Sequence, residues 1–129
     1  MNLHATATTT DRAEVVQTAL DYFEGWFDSD AVRMDRALHP QLAKRSLRQV
    51  DPDLAELRHV TKEQMIGWAR DGEGKNEDPD GDRQIHVEIV DLHGNIASVV
   101  VRSPVYREYL HLVQTEDGWK IVNALWHWT

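Results

Sequence analysis

The sequence predicts an α+β fold in which a strongly curved antiparallel sheet forms a cone packed on N-terminal helices. Three observations lead there. Apolar residues recur at helical spacing through residues 11–27 and again beyond residue 61. From residue 85 onward the pattern changes to the two-residue alternation of strands, broken by turn residues. Helices first and strands last is the α+β order, as opposed to the alternation of a parallel sheet.

Residues 1–10 are small and polar and read as a disordered tail, with one domain over 11–129. Asp11 with Glu14 marks a helix start, where carboxylates meet free backbone N–H groups. Along that helix Val16, Leu20, Phe23 and Phe27 make one stripe, and Val15, Ala19, Tyr22 and Trp26 its neighbour. So broad an apolar face implies cover on more than one side. Asp28, Ser29 and Asp30 stop the helix, and Asp30 caps a second one over 31–38 that ends at His39-Pro40. Residues 41–60 fit either strand or irregular chain. Thr61 and Gln64 form a capping box for a third helix that buries Met65, Ile66, Trp68 and Ala69.

The stretch 71–82, DGEGKNEDPDGD, holds three glycines and six carboxylates and reads as a solvated loop. Ile85, Val87 and Ile89 then alternate with polar residues, His93-Gly94-Asn95 turns the chain, and residues 96–102 return as a β-branched strand. Ser103-Pro104 interrupts the pairing. The last hairpin runs from Tyr106 to Trp128. A three-residue turn over Glu116, Asp117 and Gly118 sets Thr115 opposite Trp119, His111 opposite Asn123 and Tyr109 opposite Leu125. One face then carries Tyr109, His111, Val113, Ile121, Asn123 and Leu125, an apolar surface with polar heads expected to line a cavity.

Composition narrows the function. With 129 residues the chain can bury a core without staples, and with no cysteine it offers no thiol chemistry or thiolate metal site. A net charge of −8 argues against nucleic acid and anionic membranes as partners. The absence of a long apolar run and of a signal-peptide pattern predicts a soluble cytoplasmic protein. No metal site is expected: the seven histidines show no zinc spacing, and residues 76–81 imitate only the start of a calcium loop. Nucleotide-binding glycine motifs are absent, and no cofactor is implied.

Ten aromatics, five of them Trp, are many for this length. Tyr22, Trp26, His39, Tyr109, His111, Asn123 and Trp126 form the candidate constellation, aromatic faces to sandwich a planar molecule and polar heads to read its edge. Lys44 and Arg45 are a cation pair for an anionic substituent, with Arg45 the bidentate partner.

Several segments together resemble the nuclear transport factor 2-like superfamily, and within it the putative lumazine-binding proteins. They are Tyr22-Phe-Glu-Gly-Trp26, Met34-Asp-Arg-Ala-Leu-His-Pro40, Leu42-Ala-Lys-Arg45, Asp91-Leu-His-Gly-Asn95, Tyr109-Leu-His-Leu112, Trp119-Lys-Ile-Val-Asn123 and Leu125-Trp126. The resemblance implies a cystatin-like α+β barrel, commonly a homodimer joined through the outer face of the sheet. It strengthens Arg45 as a ligand contact. Fold does not transmit chemistry, so three functions stay open. The first is a binding protein for a planar, partly polar, possibly pteridine- or lumazine-like molecule. The second is an isomerase or dehydratase using His111 as base and Tyr109 as electrophile. The third is a dimerisation unit with a filled core.

Overall fold

A computed structural model of the chain describes residues 8–78, 81 and 83–129. Helix α1 spans Thr9–Phe27, earlier than the Asp11 start expected, because Thr8 is the cap. The Thr8 hydroxyl accepts from the Asp11 N–H at 3.0 Å, and the Asp11 carboxylate accepts from the Thr8 N–H at 3.2 Å. Of the expected tail, residues 1–7 lie outside the described residues, and Thr8–10 already belong to the cap and first turn. Helix α2, Ala31–Ala37, is capped by Asp30, whose carboxylate accepts from the Arg33 N–H at 3.1 Å.

The chain passes straight from α2 into β1, Leu38–Asp51, which folds back as β2, Leu54–Val60. The region that fits two readings in sequence is therefore a hairpin. Thr61 and Gln64 form the expected capping box of α3, Lys62–Arg70. The stretch predicted as a loop contains a one-turn helix α4, Glu73–Asn76; Pro79, Asp80 and Asp82, which fall in the calcium-like and acidic segments, lie outside the described residues. Strands β3 (His86–His93), β4 (Ile96–Arg102), β5 (Tyr106–Thr115) and β6 (Gly118–Trp128) complete the molecule.

The six strands form one sheet in the order β2-β1-β6-β5-β4-β3. All neighbours are antiparallel except β1 and β6, which run parallel, so the sheet is mixed where a purely antiparallel one was expected. The consecutive hairpins are local in sequence and announce themselves. The β1–β6 seam joins residues about eighty positions apart and leaves no local signal. Its register slips between Leu38 and Ala43, around Pro40, which has no N–H to give a ladder.

Helix α1 lies on the inner face of the sheet. Val15, Ala19, Tyr22, Phe23 and Phe27 pack there with Leu38, Leu110, Leu112 and Ile121 in one buried cluster. Asp21, buried on the α2 side of α1, accepts from Arg33 at 3.0 Å and Arg36 at 3.2 Å and ties the two helices together. Among the described residues no helix is long and apolar enough to cross a membrane.

The final hairpin differs from expectation in one consequential way. Its turn has two residues, Glu116 and Asp117, with Thr115 paired to Gly118, and the extra residue sits at Val122 as a bulge. His111 still pairs with Asn123 and Tyr109 with Leu125. The bulge, however, reverses the phase of β6. Trp119 and Ile121 point inward before it, and Ala124 and Trp126 after it. Asn123 is turned out, away from Ile121.

Candidate functional site

A cavity of about 300 Å³ opens between α1, the α3–α4 segment and the inner face of β1, β2, β5 and β6. Its floor is ionic. Glu108 stands in the inward file of β5 among Tyr106, Leu110 and Leu112 and is only 3% exposed. Lys44 stands in the inward file of β1 between Leu42 and Ser46 and is 7% exposed. Tyr22 of α1 reaches down between them. Its hydroxyl donates to Glu108 Oε1 at 2.8 Å and accepts from the Lys44 ammonium, and Lys44 Nζ lies 3.6 Å from Glu108 Oε2. Two opposite charges and a phenol thus satisfy one another where water is scarce.

Burial sets the proton affinities of this floor. It pushes the Tyr22 phenol well above its usual value, and the neighbouring Glu108 carboxylate adds to the rise. It lowers the Lys44 ammonium, a fall that the Glu108 and Glu77 charges oppose. Lys44 also sits 5.0 Å from the Tyr22 ring centre and 5.4 Å from that of Trp126, so its charge is shared with aromatic faces.

The walls are aromatic. The Trp26 indole N–H donates to the Tyr106 hydroxyl at 3.1 Å. Tyr106 stacks on Phe27 with centres 6.0 Å apart and on Trp128 at 5.2 Å, while Trp126 meets both Tyr106 and Trp128 edge-on. At the rim Arg58 lies over the Trp68 ring at 5.7 Å. Helix α4 presses its backbone on Trp26: a Cβ at Gly74 would fall 2.3 Å from the Trp26 carbonyl oxygen and 2.6 Å from its ring. This contact carries Glu77, just beyond α4, to the cavity. Burial raises the Glu77 carboxyl above its usual value; Glu73 adds to that rise, and the Trp26 N–H and Lys44 oppose it.

Of the residues singled out in sequence as site candidates, Tyr22, Trp26, Lys44 and Trp126 line this cavity. The other candidates stand elsewhere. Tyr109, His111 and Asn123 are on the outer face of the sheet: Tyr109 is 51% exposed, and the Asn123 amide lies 3.2 Å from His111 Nδ1 in an exposed contact. The inward face of β5 is the alternate one, Tyr106, Glu108, Leu110 and Leu112. Arg45 also faces out, because neighbours in a strand point to opposite sides and Lys44 takes the inner position. His39 sits half-buried at the α2–β1 junction, where its Nδ1 accepts from the Gln41 N–H at 3.0 Å.

Sequence reasoning missed Glu108 and Glu77 altogether. Glu108 had a signal, a lone carboxylate in the most apolar file of β5. Glu77 had none, since it lies in a run of six acids of which a turn of helix brings this one and Glu73 to the cavity.

The sequence pattern of the putative lumazine-binding family matches residues 10–127 of the chain. No curated protein matches it. Among solved structures, a nuclear transport factor 2-like protein of unknown function from Methylobacillus flagellatus KT superposes with a TM-score of 0.74 at 16% identity, covering 99% of both chains. One from Silicibacter pomeroyi DSS-3, also of unknown function, gives 0.72 at 15% identity, over 96% of this chain and 100% of that one. A cystatin-like fold protein from Burkholderia xenovorans LB400 gives 0.63 at 20% identity, over 94% and 93%. At these identities the likeness establishes the fold: helices on a curved six-stranded sheet of the nuclear transport factor 2-like and cystatin-like kind.

Proposed function

The chain belongs to the putative lumazine-binding family, and from that premise we propose that it holds a planar, partly polar small molecule of pteridine or lumazine type in the cavity beneath α1. The observation that carries this reading is the pairing of aromatic walls with a polar floor. Trp26, Tyr106 and Trp126 offer ring faces and edges to a flat heterocycle. The Tyr22–Lys44–Glu108 floor leaves an ammonium next to the cavity for a ring carbonyl. Apolar walls with a few fixed polar groups are what a small-molecule site requires.

The alternative of an isomerase or dehydratase built on His111 and Tyr109 draws no support from their position, since both side chains lie outside this cavity on the outer face. Carriage is the better reading. Its test is a titration of the protein with lumazine, pterin and aromatic acids, followed by tryptophan fluorescence and melting temperature. A ligand present at a hundred times its Kd stabilises the fold by about 2.7 kcal/mol. Saturable quenching with a rise in melting temperature, weakened about tenfold or more by Trp126→Ala, is the expected result. A panel that leaves both readouts unmoved at millimolar concentration overturns it.

We also propose that the outer face of the sheet joins two copies of the chain. Leu57, Leu47, Leu125 and Tyr109, exposed at 60%, 63%, 52% and 51%, cross strands β2, β1, β6 and β5 on that face. Apolar surface of this extent is characteristic of contacts between subunits. Sedimentation should give twice the 14.9 kDa chain mass, reverting to the single mass in Leu47→Lys/Leu125→Lys. A wild-type monomer at micromolar concentration rejects the proposal.

A further inference from the structure

The cavity contains an acceptor that the protein does not complete. Among the described residues, the buried side-chain oxygens without a hydrogen-bond partner are Ser29 Oγ and Glu77 Oε2, and of these two residues Glu77 lines the cavity. The donors nearest it leave this oxygen unmet, although the Trp26 N–H also acts on the Glu77 carboxyl. The Trp26 N–H goes to the Tyr106 hydroxyl at 3.1 Å. The Lys44 ammonium is held by the Tyr22 hydroxyl and by Glu108. Arg58 lies over Trp68 at the rim. A shielded carboxylate oxygen with no donor is unfavourable, and a ligand that brings donors removes the penalty.

The charge of the lining agrees. Two cations, Lys44 and Arg58, face three carboxylates, Glu73, Glu77 and Glu108. Lys44 is already paired with Glu108, so Arg58 faces Glu73 and Glu77 in an excess of acid, and a donor-rich ligand finds a spare carboxylate.

Resting on the carriage reading above, we propose that Glu77 is the specificity residue of the cavity. It accepts two parallel hydrogen bonds from adjacent N–H groups, so the site selects a 2-amino-4-oxo heterocycle over its 2,4-dioxo counterpart. The chemistry is that of a carboxylate meeting a fork of donors. A ring N–H beside an exocyclic amine presents two protons at the spacing of the two carboxylate oxygens, as guanidinium does. A dioxo edge presents one N–H flanked by two carbonyl oxygens, which the carboxylate repels while its second oxygen stays unpaired. Glu77 is half-buried and lies just past the single turn of α4; in the proposed complex its side chain turns on ligand binding so that both oxygens face the cavity. The elevated proton affinity of Glu77 fits a carboxylate held short of donors until ligand arrives.

The test compares pterin (2-amino-4-oxopteridine) with lumazine (the 2,4-dione) on wild-type protein and on Glu77→Gln, reading Kd by fluorescence. Wild type should bind pterin about tenfold or more tightly than lumazine, the discrimination a good bidentate contact supplies. Glu77→Gln should weaken pterin by a similar factor and change lumazine by less than about threefold. Glu77→Asp, which keeps the charge and withdraws it, should fall between. The wild-type comparison stands even should a variant fold poorly, and a cooperative unfolding transition at or above the wild-type melting temperature certifies Glu77→Gln. Equal wild-type affinities, or equal weakening of both ligands by Glu77→Gln, overturn the proposal and leave carriage intact. Failure of both pteridines to bind wild type overturns carriage and this proposal with it.

Discussion

The two faces of the β5–β6 hairpin carry polar side chains three residues apart along β5, and those side chains obey different rules. On the inner face Glu108 is held by Tyr22 and Lys44 with almost no contact with water. On the outer face His111 and Asn123 touch each other at 3.2 Å, exposed to water in the single chain. The first set had to be assembled completely: a charge left alone there would lose several kcal/mol of hydration with nothing in return. The second needs no partner, since water replaces any bond it loses. A polar residue in a strand therefore points to a site only when the opposite charge and the hydrogen bonds that complete it can be found on the same face.

The sharpest way to break this comparison is to remove one member from each face. Glu108→Ala leaves the Lys44 ammonium buried without its counter-charge and should destabilise the protein by about 3–5 kcal/mol. His111→Ala should change stability by less than about 0.5 kcal/mol. Urea unfolding of the two variants decides, and similar losses would show that the inner cluster is not the closed ionic unit described. The double replacement Lys44→Met/Glu108→Leu sharpens the point. It should recover most of the loss seen in Glu108→Ala, because a buried pair is often matched by apolar groups of similar volume, and it should still abolish the cavity's polar floor.

The next effect tests how the inner side is closed. Gly74 leaves no room for a side chain against Trp26. Gly74→Ala should therefore cost about 1–3 kcal/mol through overpacking or detachment of α4, and it should shift the tryptophan emission as Trp26 gains water. A substitution in the β5–β6 turn, Asp117→Ala, should do neither. An Ala variant with wild-type stability and emission would mean that α4 does not bear on Trp26.

These contrasts also explain which parts of the molecule were legible in the sequence. Helices α1 and α3 and strands β3 to β6 follow from local periodicity and from the Thr61–Gln64 box, because their determinants lie within a few residues of one another. Tyr22, Trp26 and Trp126 were found as cavity-lining candidates for the same reason: stripes on a helix and aromatics on a strand are local patterns. The β1–β2 hairpin was not legible because its outward file alternates Arg45 and Leu47, and its exposed edge strand mixes apolar and charged residues. The parallel β1–β6 seam is non-local. The bulge at Val122 hid the most, since a phase change in mid-strand leaves the pairing of His111 with Asn123 intact while exchanging the faces. Reading β5 alone, with Tyr106, Leu110 and Leu112 in one file, points to Glu108 as the inward polar residue.

The smallest expected effect is the most specific to the inner side. Glu77 has its carboxyl raised by burial above the ordinary 4.5, and Asp21 has its own lowered below 3.8, where burial is outweighed by Arg36, Gln17 and Arg33. The signs follow by linkage. Between 4.5 and the higher folded value of Glu77, the folded state binds more protons than the unfolded chain, so stability falls as pH rises through that window. Between the lower folded value of Asp21 and 3.8 the unfolded chain binds more, so stability is lost as pH falls. Glu77→Gln should therefore raise the melting temperature slightly at neutral pH and flatten its decline above pH 4.5, whereas Asp21→Asn should lower it at neutral pH and flatten the loss on acidification below 3.8. A Gln variant less stable than wild type at pH 7 would mean that Glu77 is a structural partner of the fold, not an acceptor held open. Scanning calorimetry across pH separates the two, and only the second outcome fits a carboxylate kept for a ligand.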